Sequence, residues 1–165
     1  MLADAYTTVT QSKPPVVTGR EHNGRMTRYA IDAPTAVRLV HEGITVPDNH
    51  QLVAPNVLRS QALSQIYRAT RQGDMGDDEA ERMLEGITSM RIRLLGDRVS
   101  RRVAWRVASQ LNWDDTARAE YVAVAKLQAD ALVTLDPDLA RQVAGIVPVT
   151  TYEQFVAELA GTPQK

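Results

Sequence analysis

The hydrophobic pattern of this chain switches between two periods. Short solid apolar runs recur between longer stretches whose apolar positions lie three and four apart. That alternation predicts a largely parallel sheet with helices on both faces. The clearest instance runs from Tyr121 to Leu139, YVAVAKLQADALVTLDPDL. Tyr121, Val124, Ala125 and Gln128 keep helical spacing on an alanine-rich background. Ala131 to Leu135 then forms a short apolar run, the pattern of a strand buried on both faces. Asp136 stands where that run stops, and Pro137 fixes the backbone just past it.

The same reading extends along the chain. Tyr29–Ile31 is a first short buried strand that ends on Asp32, and helical character follows from Thr35 to His41. Gln51–Ala54 reads as a short strand or an extended lead-in. Pro55 suits the first turn of a helix to about Arg71, with Val57, Leu58, Ala62, Leu63, Ile66 and Tyr67 on its apolar face. Gln72-Gly73 ends it, and Asp77-Asp78-Glu79 opens the next helix, which carries Ala80, Met83, Leu84 and Ile87. Arg91–Leu95 alternates as a strand. Asp97 caps a helix from Arg98 to Leu111 with the stripe Val99, Val103, Val107 and Leu111. A short helix from Asp138 to Val143, an edge strand at Ile146–Val149 marked by Pro148, and a helix capped by Thr150 or Thr151 complete the chain to Leu159. The expected fold class is a three-layer α/β/α domain over residues 26–160 with a mainly parallel central sheet. Residues 1–25 read as an N-terminal tail, in which Val9 or Val16-Val17 could add an edge strand, and residues 161–165 as a C-terminal tail.

A length of 165 residues suffices for one domain with a real core. The absence of cysteine excludes disulfides, zinc-thiolate sites and thiol catalysis. No apolar run approaches the ~20 residues of a membrane helix, and no signal pattern opens the chain, so the expectation is a cytoplasmic protein with no membrane partner. Net charge is −1, yet 16 of the 19 cationic residues are Arg. Codon usage in a GC-rich genome is the plainer cause; the alternative is bidentate phosphate binding, which suits Arg better than Lys. Arg91, Arg93, Arg98, Arg101, Arg102 and Arg106 fall on one strand and one helix. They could hold RNA phosphates or meet an acidic partner, against the plainer account of a solvated face. Trp105 is the only aromatic in that set, so no aromatic interleaving supports base stacking, and Trp113 is expected to pack as a core anchor. His22, His41 and His50 are scattered and form no nucleophilic triad.

The acids carry the chemical signal. Asp32 and Asp136 each follow a buried strand, and in a parallel sheet those ends lie along one edge, where ligands bind. A lone acid there is more often a helix N-cap; two in one chain raise the case for convergence on a divalent cation. Oxygen ligands without Cys or His favour Mg²⁺ or Mn²⁺, and such a site can serve phosphodiester hydrolysis.

On these residues the chain resembles the PIN domain family. YAIDAPTAV is similar to that family's first strand and acid, VAPNVLRSQAL to its second segment, and YVAVAKLQADALVTLDPDLA to its late helix, strand and terminal acid. Within the family it looks most like the VapC-type toxins of bacterial toxin–antitoxin pairs. The resemblance covers about residues 26–160. It implies a Mg²⁺-dependent endoribonuclease acting on an RNA substrate, with a small antitoxin as partner and a possible homodimer. Asp32 matches the first acid and Asp136 the last. Gln61 stands where the family has Glu, Arg118 where it usually has Asp, and Pro34 where a small hydroxyl or amide residue is common. Asp115, one helical turn before Arg118, is a candidate third acid and metal ligand, and Glu120 a weaker one. Gln61 would orient water or the scissile phosphate. Arg118 is a candidate to replace the metal electrostatically. The rival expectation is a binding module for RNA or a partner protein on a scaffold whose acidic centre has decayed. A receiver-type domain fares worse, because it needs an adjacent acid pair after the first strand and a late strand-terminal Lys, and neither is present.

Overall fold

The computed structural model describes residues 25–161. The expectations for the two tails, Val9, Val16, Val17 and His22 among them, lie outside the described residues, save at Arg25 and Gly161. The elements are β1 (Thr27–Ile31), α1 (Ala33–His41), β2 (His50–Pro55), α2 (Leu58–Gln72), α3 (Asp77–Ser89), β3 (Ile92–Leu95), α4 (Arg98–Gln110), α5 (Ala117–Gln128), β4 (Ala131–Val133), α6 (Pro137–Val143), β5 (Val149–Thr150) and α7 (Tyr152–Ala160).

The five strands form one sheet in the order β3-β2-β1-β4-β5, and every pair is parallel. From β1 the chain steps outward to β2 and β3, then returns past β1 to β4 and β5. Parallel crossovers are right-handed, so reversing the direction of travel moves the connecting helices to the opposite face. One layer holds α1, α2 and α3, which pack on one another. Helix α7 joins it through Tyr152, whose hydroxyl donates to Glu42 at 2.7 Å and whose ring lies 4.0 Å from the Arg38 guanidinium. The other layer holds α4 and α5, with α5 lying on β1, β2 and β4. The architecture is therefore a three-layer α/β/α fold, as the alternating pattern predicts. Central strand β1 has both neighbours paired and both faces covered, so Tyr29, Ala30 and Ile31 are all buried and no polar alternation shows.

Five local expectations shift. On α2 only Leu58, Ala62 and Ile66 are buried; Leu63 and Tyr67 line an open groove against α3 and stay 52% and 63% exposed. Pro55 closes β2 rather than opening a helix: it pairs with Leu95, and the Asn56 amide donates to the Leu95 carbonyl at 3.0 Å, which keeps the chain in the sheet until α2 starts at Leu58. On α4 the buried stripe is Ser100, Ala104, Val107 and Ala108, while Val99 is 57% exposed. The Asp97 cap accepts the Ser100 amide at 2.7 Å, and small side chains let α4 lie close on α5. Strand β4 ends at Val133, because Thr134 turns its hydroxyl to polar partners described below. The edge strand begins at Val149, since the Ile146 and Val147 amides still bond back to Val143.

Phe155 on α7 is fully buried and packs edge-on to Tyr29, with ring centroids 4.8 Å apart. Removing it leaves a cavity that the α7–β1 contact cannot fill. Phe155→Ala is expected to cost about 3–5 kcal/mol, read as a lowered denaturant midpoint with an unchanged slope.

Candidate functional site

The direction of travel reverses at β1, so the crevice between the carboxyl ends of β1 and β4 is the switch point of the sheet, where open parallel sheets bind ligands. Asp32 follows β1 and Asp136 follows β4, and both stand on that edge. Each also caps a helix. Asp32 caps α1: its Oδ1 accepts the Thr35 amide at 2.9 Å and the Thr35 hydroxyl at 2.6 Å. Its Oδ2 accepts the Thr134 hydroxyl at 2.5 Å, and the Thr134 oxygen accepts the Asp136 amide at 3.0 Å. A buried carboxylate thus has both oxygens engaged, and one threonine hydroxyl links the two acids. Asp136 caps α6 through Oδ1, which accepts from the Asp138 and Leu139 amides at 2.9 and 3.1 Å. Pro137 occupies the first helical turn, where its missing N–H costs nothing.

The second oxygen of Asp136 meets Arg118. Arg118 Nη1 lies 3.4 Å from Oδ2, with the two side chains 45% and 38% exposed. At that exposure the pair contributes at most about 1 kcal/mol. The guanidinium also lies 4.9 Å from the Trp113 ring centre, and Trp113 Nε1 donates to Gln142 Oε1 at 2.7 Å. Trp113 is half-buried and packs against the core, as expected, and its ring also faces the Arg118 guanidinium. Gln61 on α2 accepts the Tyr121 hydroxyl at 2.5 Å. Burial holds that phenol well above its usual pKa, and the charges of Asp32 and then Glu120 raise it further. Tyr121 is therefore a neutral hydrogen-bond donor at neutral pH.

Asp32, Gln61, Asp136 and Arg118 are brought to one edge of the sheet. Asp115 is spent nearby: its Oδ1 accepts the Ala117 amide at 2.9 Å, and it lines a shallow cavity of about 190 Å³ with Asn112, Trp113 and Arg118. Glu120 lines a different cavity, of about 250 Å³, with Pro55, Asn56, Leu95 and Arg101. Among the arginines, Arg91 pairs with Asp48 at 2.6 Å and Arg93 is exposed on the edge strand β3. Arg98, Arg101, Arg102 and Arg106 lie on the exposed side of α4 and form no ion pair among the described residues.

The donor set does not fit a Mg²⁺ or Mn²⁺ ion. Mg²⁺ held by one or two carboxylates depends on their negative charge, whereas Asp136 is divided between a helix cap and the fixed positive charge of Arg118, and Gln61 is neutral with its oxygen accepting from Tyr121. No three acidic or His side chains gather in metal-binding geometry among the described residues. Sequence reasoning passed over Thr35, Thr134 and Tyr121. The signals available were a hydroxyl three residues after Asp32, in the amide-capping register, and a Thr two residues before Asp136 inside an apolar run.

Replacing Thr134 with Val keeps the shape but removes a donor to Asp32 and the acceptor of the Asp136 amide. Thr134→Val is expected to destabilise the fold by about 1–3 kcal/mol, and Thr134→Ser to restore most of it, both read by chemical denaturation.

No protein-family model matches the chain, and no curated protein matches it. Among solved structures, it is similar to the crystal structure of PAE2754 from Pyrobaculum aerophilum, with a TM-score of 0.66 and 22% sequence identity. The match covers 82% of this chain and 98% of that one, and at this identity the likeness shows the fold alone.

Proposed function

We propose that this chain is an RNA-binding protein on a PIN-like scaffold, in which Arg118 supplies the positive charge that a divalent cation supplies in a PIN ribonuclease. The observation that carries this is the Arg118 guanidinium on Asp136 at the switch-point crevice. Relative to the pattern the resemblance implies, Gln61 and Arg118 remove two negative charges and add one positive. A half-exposed guanidinium backed by an indole ring is a receptor for a phosphate oxygen. A small antitoxin-type partner and pairing of two copies of the chain follow from the same resemblance and form part of the proposal.

The second reading is a metal-dependent endoribonuclease centred on Asp32 and Asp136. It is favoured by the weakness of the Arg118–Asp136 contact, which at 3.4 Å and near half exposure is easily exchanged.

Two measurements separate the readings. With EDTA present, the chain is expected to bind a ~12-nucleotide single-stranded RNA, and Arg118→Ala to weaken that binding about tenfold, the worth of one charge-assisted contact. Metal-dependent cleavage lost in Asp32→Asn would instead establish the nuclease. In the second measurement, Mg²⁺ or Mn²⁺ is expected to leave the unfolding midpoint of the natural chain unchanged. The double variant Gln61→Glu, Arg118→Asp is expected to gain about 2.7 kcal/mol of stability when metal stands at about a hundred times its Kd.

A further inference from the structure

Helix α4 presents an exposed indole among cationic side chains on its outer face. Trp105 is 70% exposed there, and Val99 lies on the same helix with its side chain turned outward. Arg98, Arg101, Arg102 and Trp105 stand at i, i+3, i+4 and i+7, so they form one continuous row about 10 Å long. Arg106 adjoins Arg102 and completes a positive surround for the indole. The charge is local. The α4–α5 pair carries six cationic side chains and one acid, Glu120, whereas α3 alone carries five acids. The remaining acid at the start of α4, Asp97, is spent on the cap; the Ser100 amide holds its carboxyl below the usual range, and the Arg101 charge adds to this. Arg101 also lines the cavity at the carboxyl ends of β2 and β3, so the row runs into the edge that holds Asp32 and Asp136.

We infer that the outer face of α4 is a stacking platform for single-stranded RNA, with Trp105 taking a base and Arg98, Arg101, Arg102 and Arg106 taking the flanking phosphates. This rests on the RNA-binding reading of the crevice and extends that site along α4. A phosphate row alone would accept any polyanion. An indole exposed among four guanidinia selects chains whose bases are unstacked and free to lie on it. An A-form duplex hides its bases and would leave the ring in water.

The test is fluorescence anisotropy of a labelled ~12-nucleotide single-stranded RNA in EDTA, with intrinsic tryptophan emission followed in parallel. Trp105→Ala is expected to weaken binding about tenfold, and Trp105→Phe to stay within about threefold of the natural chain. The double variant Arg102→Glu, Arg106→Glu is expected to lower the log–log salt slope by about 1.4, two single-strand phosphate contacts. RNA binding that responds to Arg118→Ala but is indifferent to these changes overturns the platform and leaves the crevice reading standing. Absence of RNA binding by the natural chain overturns both. Duplex RNA bound as tightly as the single strand, stronger quenching by polyglutamate than by RNA, or self-association abolished by the double Arg variant would each overturn it, the last two in favour of an acidic protein surface or the acidic α3 of a second copy.

Discussion

A buried carboxylate has to be hydrogen-bonded on both oxygens, and meeting that demand at Asp32 ties together the elements that make the crevice. Its partners come from its own helix cap and from Thr134 beyond β4, so the acid joins β1, α1 and β4 at the point where the sheet reverses direction. The Thr134 oxygen then accepts the Asp136 amide, which sets the start of α6 and the position of the second acid. The distance between the two acids is thereby set through a neutral hydroxyl, with no bound cation needed to hold them in place.

That arrangement resolves the competition between capping and chemistry. Asp32, Asp97 and Asp136 all cap helices that begin at the carboxyl edge of the sheet. The geometry of a parallel α/β unit makes this economical, because each strand end is followed by a helix N-terminus with unpaired amides. Capping does not preclude a second role, and Asp136 keeps one oxygen turned outward. What that oxygen meets is Arg118, and the worth of the pair is small enough that the charge of the crevice, rather than the stability of the fold, is what Arg118 changes. The charge distribution is coherent with this: the α4–α5 layer is basic beside the crevice, and the acids of α3 lie in the other layer.

Much of the fold was legible because its signal is local. A solid apolar run bounded by turns reports a strand with both faces covered, and the three-layer order follows from alternation of such runs with helical periods. The misreadings came where two local signals agreed with two different answers. Pro55 suits a helix start as well as a strand end, and only its pairing with Leu95 separates the two. Val99 lies at helical spacing from Val103, Val107 and Leu111, yet the face that turns inward is chosen by how closely α4 can approach α5, which favours Ser100, Ala104 and Ala108.

The sequence by itself determined which residues end the strands, and therefore that Asp32 and Asp136 share one edge, since parallel strands all deliver their ends to the same side. It also determined that Gln61 and Arg118 stand where the resemblance leads one to expect acids. Only the tertiary structure decided what those residues face. Thr134 and Tyr121 reach Asp32 and Gln61 across separations of 102 and 60 positions, and Arg118 reaches Asp136 across 18, with the Trp113 ring against its guanidinium. Side-chain periodicity carries no information about such partners, because they are fixed by how helices from different parts of the chain settle against one sheet.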